Sequence, residues 1–490
     1  MNTIRNKESV PPSILRIPPM GIGLSTDLYS PPIKDLLQAL SPGPTVNYLE
    51  IFRGRTEDLK QARNRIVPDS IRLAYHGDTL WYTQTDFPEN PAYMQEIRRV
   101  NNHLDALDSP WMIHECAHKS LLGRTFGSYL PPVMEESCAR WIRTNAQMLQ
   151  SELGGRALLV EIPPFPMFSL GALSAGEFFT LLLEGTDLGM GLDIGHAMTA
   201  YRLEHDHVTP EGLAHWIQTT FPTHHIAQIH VGGLVPFETA SGTHFWDDHS
   251  HAIPDLLWES LDAVLTLCFL PALKGVALEV DNKEISQIDR EFSRFHLMVS
   301  RSWTPSCSLP ESSNHLKNNE RPDPPPPILR ESCRTRQEAI YDEYLTTLLT
   351  GSLSRSLPVK GEPNLFRSRN YAGEIWRFGG YIPDLFPNTM AFLENVPGDL
   401  QQSFVSFFHT VPITETEPYD FLRTKVILIQ LWIQDLSDRK LLQGEVAQRA
   451  IEMARTEGVR ILLDQEWING DPCPENPAST DSPSTASNAL

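Results

Sequence analysis

The sequence has few cysteines and no continuous apolar stretch of membrane-spanning length. Only six cysteines occur among 490 residues and no two are spaced as CxxC, which excludes a disulfide framework and a zinc ribbon. No run of about 18 apolar residues is present. The opening residues, MNTIRNKESVPPS, lack the apolar core of a secretory signal. These absences predict a cytoplasmic protein with no membrane partner.

Basic residues and the common catalytic motifs are also scarce. Forty Lys and Arg against 61 Asp and Glu leave a formal net charge of -21, which disfavours nucleic acid as a main partner, so we expect none. The motifs GxSxG, GxxxxGK[ST] and HExxH are absent, and GIG at Gly21 lacks the rest of a dinucleotide fingerprint. Cys116, flanked by His114 and His118, is a candidate nucleophile, although a small buried residue is the commoner role of such a cysteine.

What the sequence does contain is an alternation of short apolar runs with longer amphipathic stretches, from residue 21 to residue 301. The apolar runs include VNYLEIF, IRLAYHG, PWMIHE, ALLVEIPPF, MGLDIGH, IAQIHVGG and GVALEVDN. Apolar runs of this length are typical of buried parallel strands. Seven or eight strand–helix units over about 280 residues favour an α/β fold of the TIM-type (β/α)8 barrel class over a doubly wound sheet.

The composition changes after the predicted barrel. Residues 302–335 are rich in Pro, Ser and Asn, and we expect a flexible linker there. Residues 336–470 have helical apolar spacing and predict a smaller all-helical domain, whereas residues 471–490 predict a disordered tail. Residues 1–20 form an N-terminal extension before the barrel, which spans 21–301.

Polar side chains close nearly every predicted strand, and all but His315 and His409 of the 17 histidines precede residue 300. The strand ends supply Glu50, His76, His114, Glu161, Asp193, His196, His230, Glu279 and Asp281, and a loop adds Asp247, His249 and His251. The carboxyl ends of barrel strands share one face. A single such residue is more often structural, but so many ionisable groups on one face are costly to bury without a cation. Imidazole and carboxylate donors without thiolate favour iron, manganese or zinc, and their number predicts two or three ions.

The ordered series of motifs resembles the MbnB/TglH-type multinuclear non-heme iron oxidases, a TIM-barrel family that modifies ribosomally made peptides. The resemblance covers about residues 21–301 and leaves the second domain unassigned. It rests on GIG at Gly21, LEIF at Leu49, YHG at Tyr75, IH at Ile113, VEIPPF at Val160, LDIGH at Leu192, QIHVGG at Gln228, WDDHS at Trp246 and LEVDN at Leu278.

The resemblance implies which residues bind metal and act in catalysis. It assigns one iron to His76, His114 and Glu161, a second to Glu161, Asp193, His230 and Glu279, and a third to Asp247, His249 and Glu279. His196 stands where the family has an asparagine, and it is either a further metal ligand or a neighbour of the ligands. The family motif SEH is replaced by MIHEC: we align His114 with the family histidine, but if Glu115 matches the family glutamate, Cys116 takes the histidine position.

The resemblance also implies the chemistry. Mixed ferrous and ferric iron and dioxygen would oxidise a residue of a precursor peptide, with cysteine expected before aspartate or asparagine. Related enzymes generally need a partner protein that presents the peptide, and the helical domain is a candidate for that role, with a stabilising appendage as the alternative. The rival functions are a metal-dependent sugar isomerase, an endonuclease IV-like hydrolase, and a non-catalytic metal-dependent peptide-binding protein.

Overall fold

The computed structural model describes residues 9–304, 327–366, 376, 381–410 and 421–469, except residues 53, 79, 166, 282, 352, 353 and 355. The predicted tail at 471–490 lies outside the described residues, as does most of the predicted linker. In the described part no helix has the length and apolar character needed to cross a membrane.

Eight parallel strands close into a barrel, which confirms the predicted (β/α)8 fold. The barrel order is β1, β2, β3, β4, β7, β9, β10 and β13. All described strands, numbered in chain order, are β1 (Gly21–Thr26), β2 (Tyr48–Ile51), β3 (Arg72–His76), β4 (Trp111–Glu115), β5 (His118–Leu121), β6 (Arg124–Leu130), β7 (Ala157–Glu161), β8 (Phe168–Leu170), β9 (Gly189–Asp193), β10 (Ile226–Val231), β11 (Leu234–Thr239), β12 (Gly242–Asp247), β13 (Gly275–Val280) and β14 (Val359–Gly361).

At least one helix follows every barrel strand and covers the outside of the barrel. The described α-helices are α1 (Pro12–Leu15), α2 (Ile33–Leu40), α3 (Thr56–Gln61), α4 (Pro91–Leu107), α5 (Glu136–Ser151), α6 (Ala175–Leu183), α7 (Ile194–Glu204), α8 (Pro210–Thr220), α9 (Asp255–Leu267), α10 (Ile285–Ser302), α11 (Pro327–Thr350), α12 (Pro363–Leu365), α13 (Ile382–Leu385), α14 (Pro387–Leu393), α15 (Leu400–Thr410), α16 (Phe421–Asp438) and α17 (Gly444–Asn469). A π-helix (Ala62–Ile66) and a 3-10 helix (Thr223–His225) add two short turns.

The lower part of the barrel interior is apolar. Tyr48, Ala74, Trp111, Ile113, Ala157, Leu159, Ala227 and Ala277 form one buried cluster, and Ile14 and Ile17 of the N-terminal extension belong to it. Glycines make room for the large members, because a Cβ at Gly23 would lie 2.3 Å from the Tyr48 ring and a Cβ at Gly191 would lie 2.3 Å from Ile113. Polar inward residues are therefore concentrated at the carboxyl ends of the strands, beyond this apolar layer.

Extra strands surround the carboxyl end of the barrel. The hairpin β5–β6 follows β4, the hairpin β11–β12 follows β10, and β8 follows β7. Because these segments leave the strands at their carboxyl ends, they form the walls of the mouth through which a substrate must enter.

The C-terminal region is mostly helical, as predicted, and it packs against this rim. Its helix α11 begins at Pro327, within the predicted linker, and its short strand β14 pairs antiparallel with β8. The Tyr341 hydroxyl donates to the Thr83 carbonyl at 2.7 Å and the Tyr344 hydroxyl donates to the Pro131 carbonyl at 3.1 Å. Both tyrosines are buried. The region is thus fastened to the mouth side of the barrel.

The Tyr341 contact allows a direct test of this packing. Tyr341→Phe should lower the free energy of unfolding by about 1–2 kcal/mol, because it leaves the buried Thr83 carbonyl without this donor. Urea unfolding followed by circular dichroism measures the change. Tyr381→Phe, at an exposed tyrosine, is the matched control and should leave stability unchanged. An equal effect of both variants would contradict the packing described here.

Candidate metal centre

Strand register brings the inward polar residues to one level of the barrel. Ser25 on β1 is in register with both Glu50 and Glu279. On the other side, Glu115 is in register with Glu161, and His230 with Asp193. Inward side chains at equal register in a closed barrel point toward the same axis. Carboxylates and imidazoles from separate strands therefore converge just above the apolar layer.

Glu161 lies at the centre of this cluster and faces two histidines. Its Oε2 is 3.1 Å from His76 Nε2, and its Oε1 is 2.9 Å from His230 Nδ1. The same His230 nitrogen is 3.3 Å from Glu279 Oε2. Because each Glu161 oxygen points to a different imidazole, its carboxylate has the geometry of a group that bridges two positions.

A second part of the cluster is built around Asp247, at the end of β12. Its Oδ1 is 3.0 Å from His249 Nε2, and its Oδ2 is 3.3 Å from His196 Nε2. His249 Nδ1 is in turn 3.6 Å from Glu279 Oε1, so Glu279 links the two parts. Gly232 makes room for His249, since a Cβ there would lie 2.2 Å from the imidazole.

His196 and Asp193 are oriented by the start of α7. Asp193 caps the helix, its Oδ1 accepting from the His196 backbone N–H at 2.8 Å. The His196 Nδ1 lies 2.8 Å from the Ile162 carbonyl, which requires a proton on that nitrogen. In the neutral imidazole, Nε2 is then the nitrogen with a free lone pair, and it faces Asp247.

The donor atoms fit bound metal ions better than a hydrogen-bonded network. Asp193 Oδ2, His196 Nε2, His230 Nε2, Asp247 Oδ1 and His249 Nε2 are buried and have no hydrogen-bond partner within the described residues, although several face one another at contact distance. Ligand atoms bound at right angles to one ion, with bonds of about 2.0–2.2 Å, lie about 3 Å apart. The set of nitrogen and oxygen donors suits iron, manganese or zinc.

The charges of the cluster shift its pKa values strongly. Burial by itself would lower the pKa of His76, but the carboxylates of Glu115 and Glu161 outweigh it and raise that pKa to about 10. For His196, burial again acts to lower the pKa, but the carboxylates of Asp193 and Asp247 outweigh it and raise the pKa to about 10. Burial raises the pKa of Asp193 to about 6. Without a cation, then, protons on the imidazoles neutralise the carboxylates, and a metal ion must displace them.

The structure brings together eight of the nine predicted metal residues, namely His76, Glu161, Asp193, His196, His230, Asp247, His249 and Glu279. His114 lies on the opposite face of β4. Its Nε2 accepts from the Leu80 backbone N–H at 3.1 Å, and its Nδ1 lies 2.9 Å from the Glu115 carbonyl. Cys116 lies in the apolar core outside the barrel, where burial raises its thiol pKa, so it also does not face the cluster.

Two carboxylates of the cluster, Glu50 and Glu115, lie outside the metal-binding set that the resemblance implied, although Glu50 was among the polar residues at the predicted strand ends. Glu50, fully buried, accepts from Trp111 Nε1 at 3.2 Å and from Gln228 Nε2 at 2.8 Å, while its other oxygen lies 2.8 Å from His230 Nε2. Glu115 groups with His76 and Glu161. For Glu50, the signal in the sequence is the two-residue period of a strand. Tyr48 and Glu50 are two residues apart on β2, so the side chain of Glu50 lies on the same inward face as Tyr48.

A parallel barrel with a buried carboxylate–imidazole cluster at its carboxyl end defines the class of metal-dependent TIM-barrel enzymes. Within that class, the chain belongs to the MbnB/TglH/ChrH family of RiPP precursor modification enzymes, which its sequence matches over residues 20–296. RiPPs are ribosomally synthesised and post-translationally modified peptides, so the family acts on precursor peptides. This agrees with the resemblance seen in the sequence.

Solved structures of other proteins align with just over half of this chain at low sequence identity. Endonuclease IV from Thermus thermophilus aligns with 56% of this chain and 98% of its own, at 15% identity and a TM-score of 0.37. D-psicose 3-epimerase from Clostridium cellulolyticum aligns with 57% and 98%, at 13% identity and a TM-score of 0.35. Neither likeness bears on function. No curated protein sequence matches the chain.

Proposed function

We propose that the protein is a multinuclear non-heme iron-dependent oxidase that uses dioxygen to modify a residue, in the first place a cysteine, of a ribosomally made precursor peptide. The observation that supports this best is the convergence of donor groups around Glu161 and Glu279. Each of these carboxylates faces two different histidines, which suits neighbouring ions better than a single one.

The proposed positions follow the two parts of the cluster. Glu161 and His76 would hold the first ion, and Glu161, Asp193, His230 and Glu279 would hold a second. Asp247, His249 and Glu279 would hold a third, and His196, whose Nε2 faces Asp247, would be a further ligand there. His114 was expected at the first position, but both its ring nitrogens contact backbone atoms.

The chain's own residues prepare this site in two ways. The apolar layer beneath the cluster, with Trp111 and Ile113, excludes water from the barrel interior. The hydrogen bonds of His196 and Glu50 hold those side chains in one orientation before metal binds. Bound iron would supply one-electron redox chemistry and lower the pKa of a cysteine thiol that reaches it.

Metal analysis of protein purified without oxygen tests the proposal. We expect two or three iron ions per chain, a Mössbauer spectrum containing coupled ferrous and ferric iron, and dioxygen consumption only with a cysteine-containing precursor peptide. The same peptide with Cys replaced by Ser is the control. Stoichiometric zinc or manganese without iron, or full turnover by iron-free protein, would refute the proposal.

The C-terminal region is proposed to take part in peptide docking. It packs on the rim of the mouth, where β14 pairs with β8 and where Ser241 of the β11–β12 hairpin hydrogen-bonds Glu362. A peptide reaching the cluster must pass this rim. Hydrogen–deuterium exchange of the full chain with a cysteine-containing precursor peptide should show protection in α11 and β14, and protection confined to the barrel loops would exclude this role.

A further inference from the structure

We propose that Glu115 is a direct metal ligand at the His76–Glu161 position, and that this position therefore carries two carboxylates and one imidazole. The inference rests on the proposed iron function and specifies one of its ligands. It replaces the expected ligand, His114, by its neighbour in the chain.

The alternation of side chains along β4 places Glu115 inside the barrel and His114 outside it. Trp111 and Ile113 belong to the apolar layer inside the barrel. Successive side chains of a strand point to opposite faces, so Glu115 shares their inward face while Met112 and His114 point outward. Met112 accordingly belongs to the other core cluster, outside the barrel.

The Glu115 carboxylate lies close to the other two proposed ligands of this position, His76 and Glu161. One oxygen of Glu115, one of Glu161 and one nitrogen of His76 all lie within 4.8 Å of one another, and all three residues are buried. In register, Glu115 is the direct neighbour of Glu161 on the adjacent strand. Donor atoms that share one ion with bonds of about 2.0–2.2 Å lie roughly 3–4.4 Å apart, so a small adjustment completes the site.

The contacts of the His114 imidazole hold that ring outside the barrel interior. Besides its two backbone contacts, the imidazole packs edge-on against Trp81 and Tyr82, with ring centroids 4.8 and 5.6 Å away. For His114 to reach the cluster, β4 would have to shift by one residue, which would turn Trp111 and Ile113 out of the barrel interior.

The exchange of an imidazole for a carboxylate changes the charge at this position. Two carboxylates and one neutral imidazole carry a charge of -2, whereas one carboxylate and two imidazoles carry -1. Coulomb attraction grows with the charge of the ion, so the more anionic set stabilises ferric iron relative to ferrous iron. With Glu115 in place of His114, an ion at the His76–Glu161 position would therefore be held more firmly in its ferric state.

Four variants test the assignment on anaerobically purified full-length protein. Glu115→Ala and Glu115→Gln should lower the iron content by about one ion per chain. His114→Gln, which keeps a donor and an acceptor at the neighbouring position, should retain the wild-type iron content and Mössbauer spectrum. Glu115→His should retain the iron but raise its ferrous fraction and its reduction potential. Near-ultraviolet circular dichroism checks that each variant is folded.

The outcomes separate this inference from the wider proposal. If folded Glu115→Ala keeps every iron and the wild-type spectrum, or if His114→Gln loses an iron instead, Glu115 is not the ligand while the oxidase proposal stands. If the wild-type protein itself binds no iron, the oxidase proposal fails, whatever the variants show.

Discussion

Replacing Glu161 with glutamine is expected to abolish turnover and to remove most of the bound metal. The two Glu161 oxygens face His76 and His230 separately, so the variant should weaken both of the ion positions proposed there. Loss of a group that only orients a ligand already lowers metal affinity by about 10–100-fold, and loss of a bridging ligand should exceed the upper end of that range. An amide also lacks the negative charge that a cation needs in a buried site.

Iron per chain, measured by plasma emission spectrometry, and dioxygen uptake provide the two readouts. Glu457→Gln is the matched control: this carboxylate of the C-terminal region is also buried and accepts hydrogen bonds from Asn388 and Thr389. The control should lose stability but keep its iron content. Equal iron loss in both variants would mean that general destabilisation, rather than ligand removal, empties the site.

Iron affinity should rise steeply with pH. His76 and His196 have pKa values raised to about 10 in the metal-free protein, so both are protonated at neutral pH. Each must release a proton before its nitrogen can bind an ion, and so must His230 and His249, whose pKa values the neighbouring carboxylates also raise. With more than two protons released, the apparent affinity should rise by more than about 100-fold per pH unit. Below about pH 6 the slope steepens further, because Asp193, with its pKa raised to about 6, is protonated too.

Chelator competition at pH 7 and pH 8 measures this slope, and calorimetry in buffers of different ionisation enthalpy counts the released protons. His196→Gln should release one proton fewer and make the slope about tenfold smaller per pH unit. An affinity independent of pH would show that the imidazoles are already neutral in the metal-free protein.

The same pKa shifts affect the stability of the metal-free protein. A folded-state pKa above the unfolded value of about 6.5 means that the protonated imidazole stabilises the fold. The contribution of His76 and His196 is therefore complete below pH 6.5 and is lost as the pH rises through about 10. Bound metal replaces those protons, so the loaded protein should lose less stability over that interval.

The barrel strands and the polar residues at their carboxyl ends could be predicted from local sequence. The apolar runs between Gly21 and Arg301 identified the parallel strands, because a strand buried on both faces must be apolar throughout. Polar residues that interrupt such a run at its carboxyl end, such as Glu161 and Asp193, are costly to bury without a partner. Their recurrence at successive strand ends therefore predicts that they cluster at one face of the barrel.

Other features depend on contacts between distant segments. The helical spacing of α11 predicted a helix, but nothing local indicates that Tyr341 meets Thr83 across more than 250 residues of sequence. The pairing of β14 with β8 has the same origin. The composition of the C-terminal region is the same whether it forms a separate domain on a linker or packs on the mouth of the barrel. Local sequence therefore does not distinguish these two arrangements.

The sequence alone determined the fold class, the family and the strands whose ends carry the clustered carboxylates and imidazoles, because each depends on a pattern within a short segment. Only the tertiary structure shows that Glu115, and not His114, faces the cluster, since adjacent residues of a strand point to opposite faces and the inward face is set by what the barrel closes around. It also decided the orientation of His196, through a hydrogen bond to Ile162 of another strand's loop. Closure of the barrel brings those donor atoms together.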